Sequence, residues 1–341
     1  MPDISNYVML FHGDLGTAEC VHAILQHRGM EDTPWDRCQY VIFVPGLFHL
    51  KMAAADALWH AFIQPAVARN DETLLMHDVG ILRPCKTGIY QSKPGFQRMH
   101  QLITYSGICH RLDCWRTELA NIDPGLTSLD SFAATEPTFL QLKETADVLA
   151  QNYVVTYTLR RVHQKPSLQC DMQHENALII NKYMLLYEEL THVMNSGEIG
   201  HVQLCLIAWI LVFKATGKHK YSAYMTEFLI NVHFVYPPGL CHAIHYSMLV
   251  NPTGKKGNFQ GVDWCIELNN LFMKVINGGK FSNHTILQIL LESPLVQVYR
   301  NLHGVFQQDF LHAHLSMKWQ EVDMVLTFAE LCKYFKKYQP H

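Results

Sequence analysis

The sequence has little charge and no excess of one sign. Charged residues make up 17% of its 341 positions and the formal net charge is −3. A chain-wide basic footprint for nucleic acid is therefore excluded, and any such contact needs a local patch. None of the ten cysteines stands at C-x-x-C spacing from another, which removes the common zinc and dithiol signatures. With no secretory pattern visible ahead of them, they read as reduced, mostly buried thiols of an intracellular protein, nuclear or cytoplasmic. The longest apolar run, Leu204 to Phe213, is ten residues, about half of what a membrane helix requires, so no membrane partner is expected. There is no G-x-S-x-G elbow, no recognisable Cys–His nucleophile pair and no Walker spacing. Repeats and low-complexity tracts are also missing.

What is present is a globular composition, 49% hydrophobic, organised around two short stretches. Tyr7–Thr17 and Gln39–Pro65 each open with a compact apolar, β-favouring run, Tyr7–Phe11 and Gln39–Val44. Each run breaks at a glycine and passes into a helical pattern. Strand, tight turn and helix, repeated, predict an α/β fold with a small parallel layer, and a helical crossover requires the two strands to be parallel. Chemistry in such layers sits at the carboxyl ends of the strands, where Asp14 and His49 fall. Two strands make a thin sheet, so either later segments add to it or a segment ahead of residue 1 is missing.

The first helix follows Thr17, a residue able to cap it, and the second runs from His49 to Ile63. Residues 69–94, punctuated by Gly80, Pro84, Gly88 and Pro94, read as a long irregular loop. Helical patterns then cover 95–106, 108–120, 128–134 and 137–153. The basic stretch between Thr156 and Pro166 reads as a linker, dividing an α/β layer with helical extension (1–155) from a mostly helical domain (167–338). That second part carries patterns at 174–195, 200–216, 219–235, 239–249, 262–277, 284–291, 294–314 and 320–337, and its basic tail is expected to fray.

Several blocks stand in one order along essentially the whole chain: HGDLGT, EDTPWDRCQYVIFVPGLFHLKMAAADALW, GILRP, PGFQRMH, FKATGKHKY, YPPGL, NPTGKKGNFQGVDWCIELNNLFMKV and ESPLV. In that order they resemble the fungal, mushroom-type domain-of-unknown-function family six-five-eight-nine. No biochemical activity is established for that family. Related sequences elsewhere resemble derivatives of cut-and-paste transposases with a ribonuclease-H-like core, so the resemblance implies a lineage and not a reaction.

A ribonuclease-H-like nuclease gathers about three carboxylates around two divalent metals, commonly magnesium. Asp14 stands where the first would be, although as a helix cap it needs no metal at all. In more distant relatives the place of Leu47 looks like an aspartate, and leucine binds no metal. Asp56, two helical turns beyond His49, reads as a helix polar group more than as a substitute. Glu267 is the first choice for the last acid, sharing a helix face with Asp263 and Asn270, while Asp263 alone reads as charge favouring a helix N-terminus. Glu175 and Glu189 are weaker alternatives. Of the basic segments, ATGKHKY, NPTGKKGN and the group Arg160, Arg161 and Lys165 read as polar turns or a solvated linker, with phosphate contact as the sharper option. Cys109, His110, Asp113 and Cys114 match no common zinc spacing and read as core.

The resulting expectation is a transposon-derived, ribonuclease-H-like protein that contacts DNA, with a catalytic set of Asp14, His49 and Glu267 degraded at Leu47. Asp14 and Glu267 are its metal ligands, Mg2+ being needed only if the acidic site is intact. The alternative is a domesticated helical protein-interaction module with no nucleic-acid role, which the charge of −3 favours.

Overall fold

The computed structural model describes residues 7–63, 74–92, 94–126, 128–154, 171–276, 285–310 and 323–341. The protein is mostly helical, with a small parallel sheet near its N-terminus. The chain forms two compact units, each assembled from separate stretches. One comprises Met1–His49, Met194–Ile199 and Ile230–Val322; the other comprises Leu50–Val193, Gly200–Leu229 and Asp323–His341.

In the first unit β1 (Met9–Gly13) and β2 (Val41–Pro45) pair in parallel, with Met9 opposite Val41 and Gly13 opposite Pro45. Helix α1 (Leu15–His27) crosses between them, so the expected parallel pair is found. Both strands start two residues later than the apolar runs and continue to the edge of their glycine breaks. There the Gly46 amide donates to the Gly13 carbonyl at 2.9 Å and closes the ladder. Asp14, and not Thr17, is the N-cap of α1. Helix α2 (Leu47–Phe62) starts immediately after Gly46. Further on, the helix Pro238–Met248 leads into a short antiparallel pair, β3 (Leu249–Val250) and β4 (Gln260–Gly261). The helix Val262–Ile276 follows at once, packing against β1 and against the helix Val296–Phe310.

The second unit is helical. The helix Val325–Tyr338 packs on Phe96–Ile122 and Leu75–Leu82. Three expectations are corrected here. The described part of 69–94 is not an irregular loop but carries Leu75–Leu82, a 3-10 turn at Pro84–Lys86 and Thr87–Gln91. Pro84 begins a helical turn, where its missing N–H costs nothing, and Gly80 sits within a helix. The two helices expected over 95–120 are one, Phe96–Ile122, and Gly107 lies inside it, next to the Glu188 carboxylate. The tail does not fray. Gln339, at φ 47°, ends the last helix in the left-handed region, the Pro340 carbonyl meets His174 Nδ1 at 3.0 Å, and His341 Nε2 meets His110 Nδ1 at 2.8 Å. The stretch between Thr156 and Pro166, with Arg160, Arg161 and Lys165, lies outside the described residues.

Candidate functional site

The first turn of a helix leaves its amides without partners inside the helix. At α2 two of these are satisfied from far along the chain. Phe48 N donates to Asp263 Oδ1 at 3.0 Å and His49 N donates to Asp263 Oδ2 at 2.9 Å. A carboxylate suits that position because it meets both the N–H groups and the positive end of the helix dipole. Asp263 also stands in the first turn of its own helix, so two helix N-termini share one carboxylate. It is only 1% exposed, and a charge so buried persists only when its oxygens are bonded. Two glycines make the space. A Cβ on Gly46 would run into the Asp263 carboxylate and the Gly13 carbonyl, and one on Gly261 would lie 2.5 Å from Asp263 Oδ1 and 2.7 Å from Phe48 N.

His49 completes the arrangement. Its Nδ1 lies 2.8 Å from Asp263 Oδ2 and its Nε2 lies 3.7 Å from Glu267 Oε1. The hydrogen bond from Asp263 raises the imidazole's pKa above its usual value. Burial opposes this, while the charges of Asp263, Glu267 and Asp14 assist. Asp14 Oδ1 accepts from Thr17 N at 2.9 Å and Thr17 Oγ1 at 3.0 Å. Those bonds, the backbone one foremost, and the charge of His49 hold the Asp14 carboxyl below the ordinary range. Glu267 and Asp14, far apart in the sequence, thus both bear on the His49 imidazole, Glu267 by proximity and Asp14 by its charge, at the carboxyl edge of the parallel strands. The arrangement can hold a positive charge there and take up or release a proton at Nε2.

Two participants were not identified as such in the sequence. Asp263 was read as charge at a helix start, which it is, but the helix it caps is α2, and no local signal marks a contact across 214 residues. His12 hydrogen-bonds Ser247 Oγ through Nε2 at 3.1 Å, while its Nδ1 is buried without a partner. Burial lowers its pKa and the Asp263 charge opposes that. Its place beside the glycine that ends β1 was the available signal.

The other candidates lie elsewhere. Leu47 is buried at 1% exposure. Asp56 pairs with Lys218 of the ATGKHKY turn. Glu189 pairs with His201 at 2.9 Å, Glu175 is buried, and Asn270 is exposed. Cys109 and Cys114 are buried within a helix, His110 contacts Asp78 and His341, and Asp113 contacts Arg116. NPTGKKGNF forms the connection between β3 and β4, with Lys255 and Lys256 exposed.

The lineage implied by the sequence blocks brings a divalent metal pair with it. The donor set does not fit one: both Asp263 oxygens and one of Asp14 are engaged in helix capping, and Leu47 offers no ligand. Among the described residues no group of three or more His, Cys, Asp or Glu is arranged to hold a metal ion.

No curated protein and no solved structure matches the chain. A family model does match, over residues 1–318, and by that match the chain belongs to DUF6589, a family of unknown function.

Proposed function

We propose that this chain is a transposon-derived protein of ribonuclease-H-like, fungal lineage that contacts nucleic acid without cutting it. The observation that carries this reading is the engagement of Asp263. At the strand edge where such a nuclease would keep open carboxylates, the most buried acid is tied to two backbone amides and an imidazole. Its neighbour Leu47 is apolar and buried. A centre missing a bridging carboxylate loses both metal affinity and the charge that positions the ions. Contact with phosphates needs only local cations and backbone donors, and the β3–β4 connection presents Lys255 and Lys256 to solvent.

The test has two arms. Purified protein with Mg2+ or Mn2+ is expected to leave supercoiled DNA unnicked, beside an Asp14→Ala control. Turnover by the wild type that disappears in the control overturns the catalytic half. Fluorescence anisotropy with labelled duplex DNA is expected to show binding that weakens as salt rises, and a Lys255→Glu/Lys256→Glu variant is expected to weaken it further at every salt concentration. Absence of binding at low salt overturns the nucleic-acid half. That outcome would favour the second reading, an interaction module without a nucleic-acid role, which the exposed aliphatic faces described next support.

A further inference from the structure

The helices Ile286–Glu292 and Val296–Phe310 follow one another through the 3-10 turn Ser293–Leu295, with helical dihedrals kept at Glu292, Ser293 and Val296, and this bent rod exposes a run of aliphatic side chains. Val296 is buried, and Arg300 lies over the Phe272 ring at 4.4 Å from its centroid and hydrogen-bonds Asn269 at 3.3 Å. These contacts fix which side of Val296–Phe310 faces the helix Val262–Ile276. At 100° per residue, Val298, Leu302 and Val305 fall within one narrow arc on the far side. They are 56%, 65% and 53% exposed. On the preceding helix Ile286, Leu287, Leu290 and Leu291 are 79%, 67%, 62% and 69% exposed, and Leu295 at the bend is 44% exposed.

We infer that these aliphatic side chains form the interface of a symmetric homodimer, with the segment 286–305 of one copy seated on the same segment of the other. The area argues for this occupant. Full burial of a Leu, Ile or Val side chain removes roughly 60–120 Å² of apolar surface, so these partly exposed residues offer roughly 300–600 Å² per copy. Pairing two such faces buries roughly 600–1,200 Å² of apolar surface. With the usual polar share, that corresponds to a total of roughly 1,000–2,000 Å², the range of stable protein pairs. Charge does not oppose self-pairing, because the two helices carry only Glu292, Arg300 and Asp309 among their charged residues. A face used against itself must be close to neutral, since a two-fold axis sets each patch against its own copy.

Light scattering on the eluting full chain is expected to give the mass of two copies at micromolar concentration, and Leu290→Glu/Leu302→Glu is expected to give one copy with an unchanged helical spectrum. Both positions are more than 60% exposed, so the substitutions leave the interior intact. Amide exchange of the wild type supplies a reading that needs no variant, namely protection of 286–305 that rises with protein concentration. A wild type that stays single at 100 µM, a dimer that survives the double substitution, or protection independent of concentration would each overturn the proposal. The last of these would mean that the face is covered within one chain.

Discussion

Replacing Asp263 by alanine removes three bonds at once: Phe48 N at 3.0 Å, His49 N at 2.9 Å and His49 Nδ1 at 2.8 Å. Two backbone amides in the first turn of α2 then face the space left by a carboxylate only 1% exposed. Hydrogen bonds to a charged group contribute about 1.5–3 kcal/mol each, and breaking a buried ionic contact by deleting one partner costs about 3–5 kcal/mol. The three bonds share one acceptor and do not add, so we expect a loss of about 3–5 kcal/mol. His49→Ala removes only the ring bond and leaves both backbone amides capped by Asp263, for about 1.5 kcal/mol, the lower end of that range. All three bonds lie at the start of one helix, so the measurement is local. Amide exchange in a peptide covering 46–52 is expected to accelerate by at least ~100-fold in Asp263→Ala and by about tenfold in His49→Ala. The effect also has a pH signature. Because the folded state raises the pKa of His49, its ionic contribution is fully present below the unfolded value of about 6.5 and is lost as pH rises through the folded one. The Asp263→Ala penalty is therefore larger at pH 6 than at pH 9. Equal penalties for the two variants, or unchanged exchange at Phe48 and His49 in Asp263→Ala, would refute the shared-cap reasoning.

Gly46→Ala is expected to lower the unfolding midpoint, at a cost of about 1–3 kcal/mol, because its Cβ meets the Asp263 carboxylate and the Gly13 carbonyl. Gly200→Ala, where nothing lies within 4 Å of the new carbon, is the control and should be neutral or stabilising in thermal melts. Burial, assisted by the charge of Lys51, pushes the pKa of His100 down to about 4 while its Nδ1 meets the Tyr187 hydroxyl at 2.8 Å. The unfolded chain takes that proton first, so stability falls as pH drops from about 6.5 towards 4, by up to about 3 kcal/mol, and His100→Gln should flatten the slope in pH-dependent melts. His341, held well below its usual pKa by burial and by His110 and His174, acts in the same direction.

Much of the local structure was legible because it depends on neighbours in sequence. The apolar runs ending at Gly13 and Gly46, the crossover helix and the parallel pairing all follow from short-range patterns. Breaker residues were less informative: Gly107 and Pro84 look like punctuation, yet one marks close approach to Glu188 and the other starts a turn. Asp14 and His49 were legible as strand-end residues and Glu267 as part of a helix face, but how near one another they lie was not. Nor was the pivotal role of Asp263, since a carboxylate that caps another helix leaves no local trace. The tail misled for a related reason. Its lysines signal solvent, whereas Leu331, Phe335 and His341 on the same stretch supply buried contacts.

The long reach of that cap has a consequence for how the protein is made. Ribosomes add about 5–20 residues per second, so the 214 positions between His49 and Asp263 take about 10–40 s to synthesise. Throughout that interval β1, β2 and the start of α2 are present while the carboxylate that ties them together does not yet exist. A nascent chain halted anywhere before Asp263 must leave Phe48 N and His49 N to water or to a chaperone. The parallel layer is therefore translated well before it can be completed.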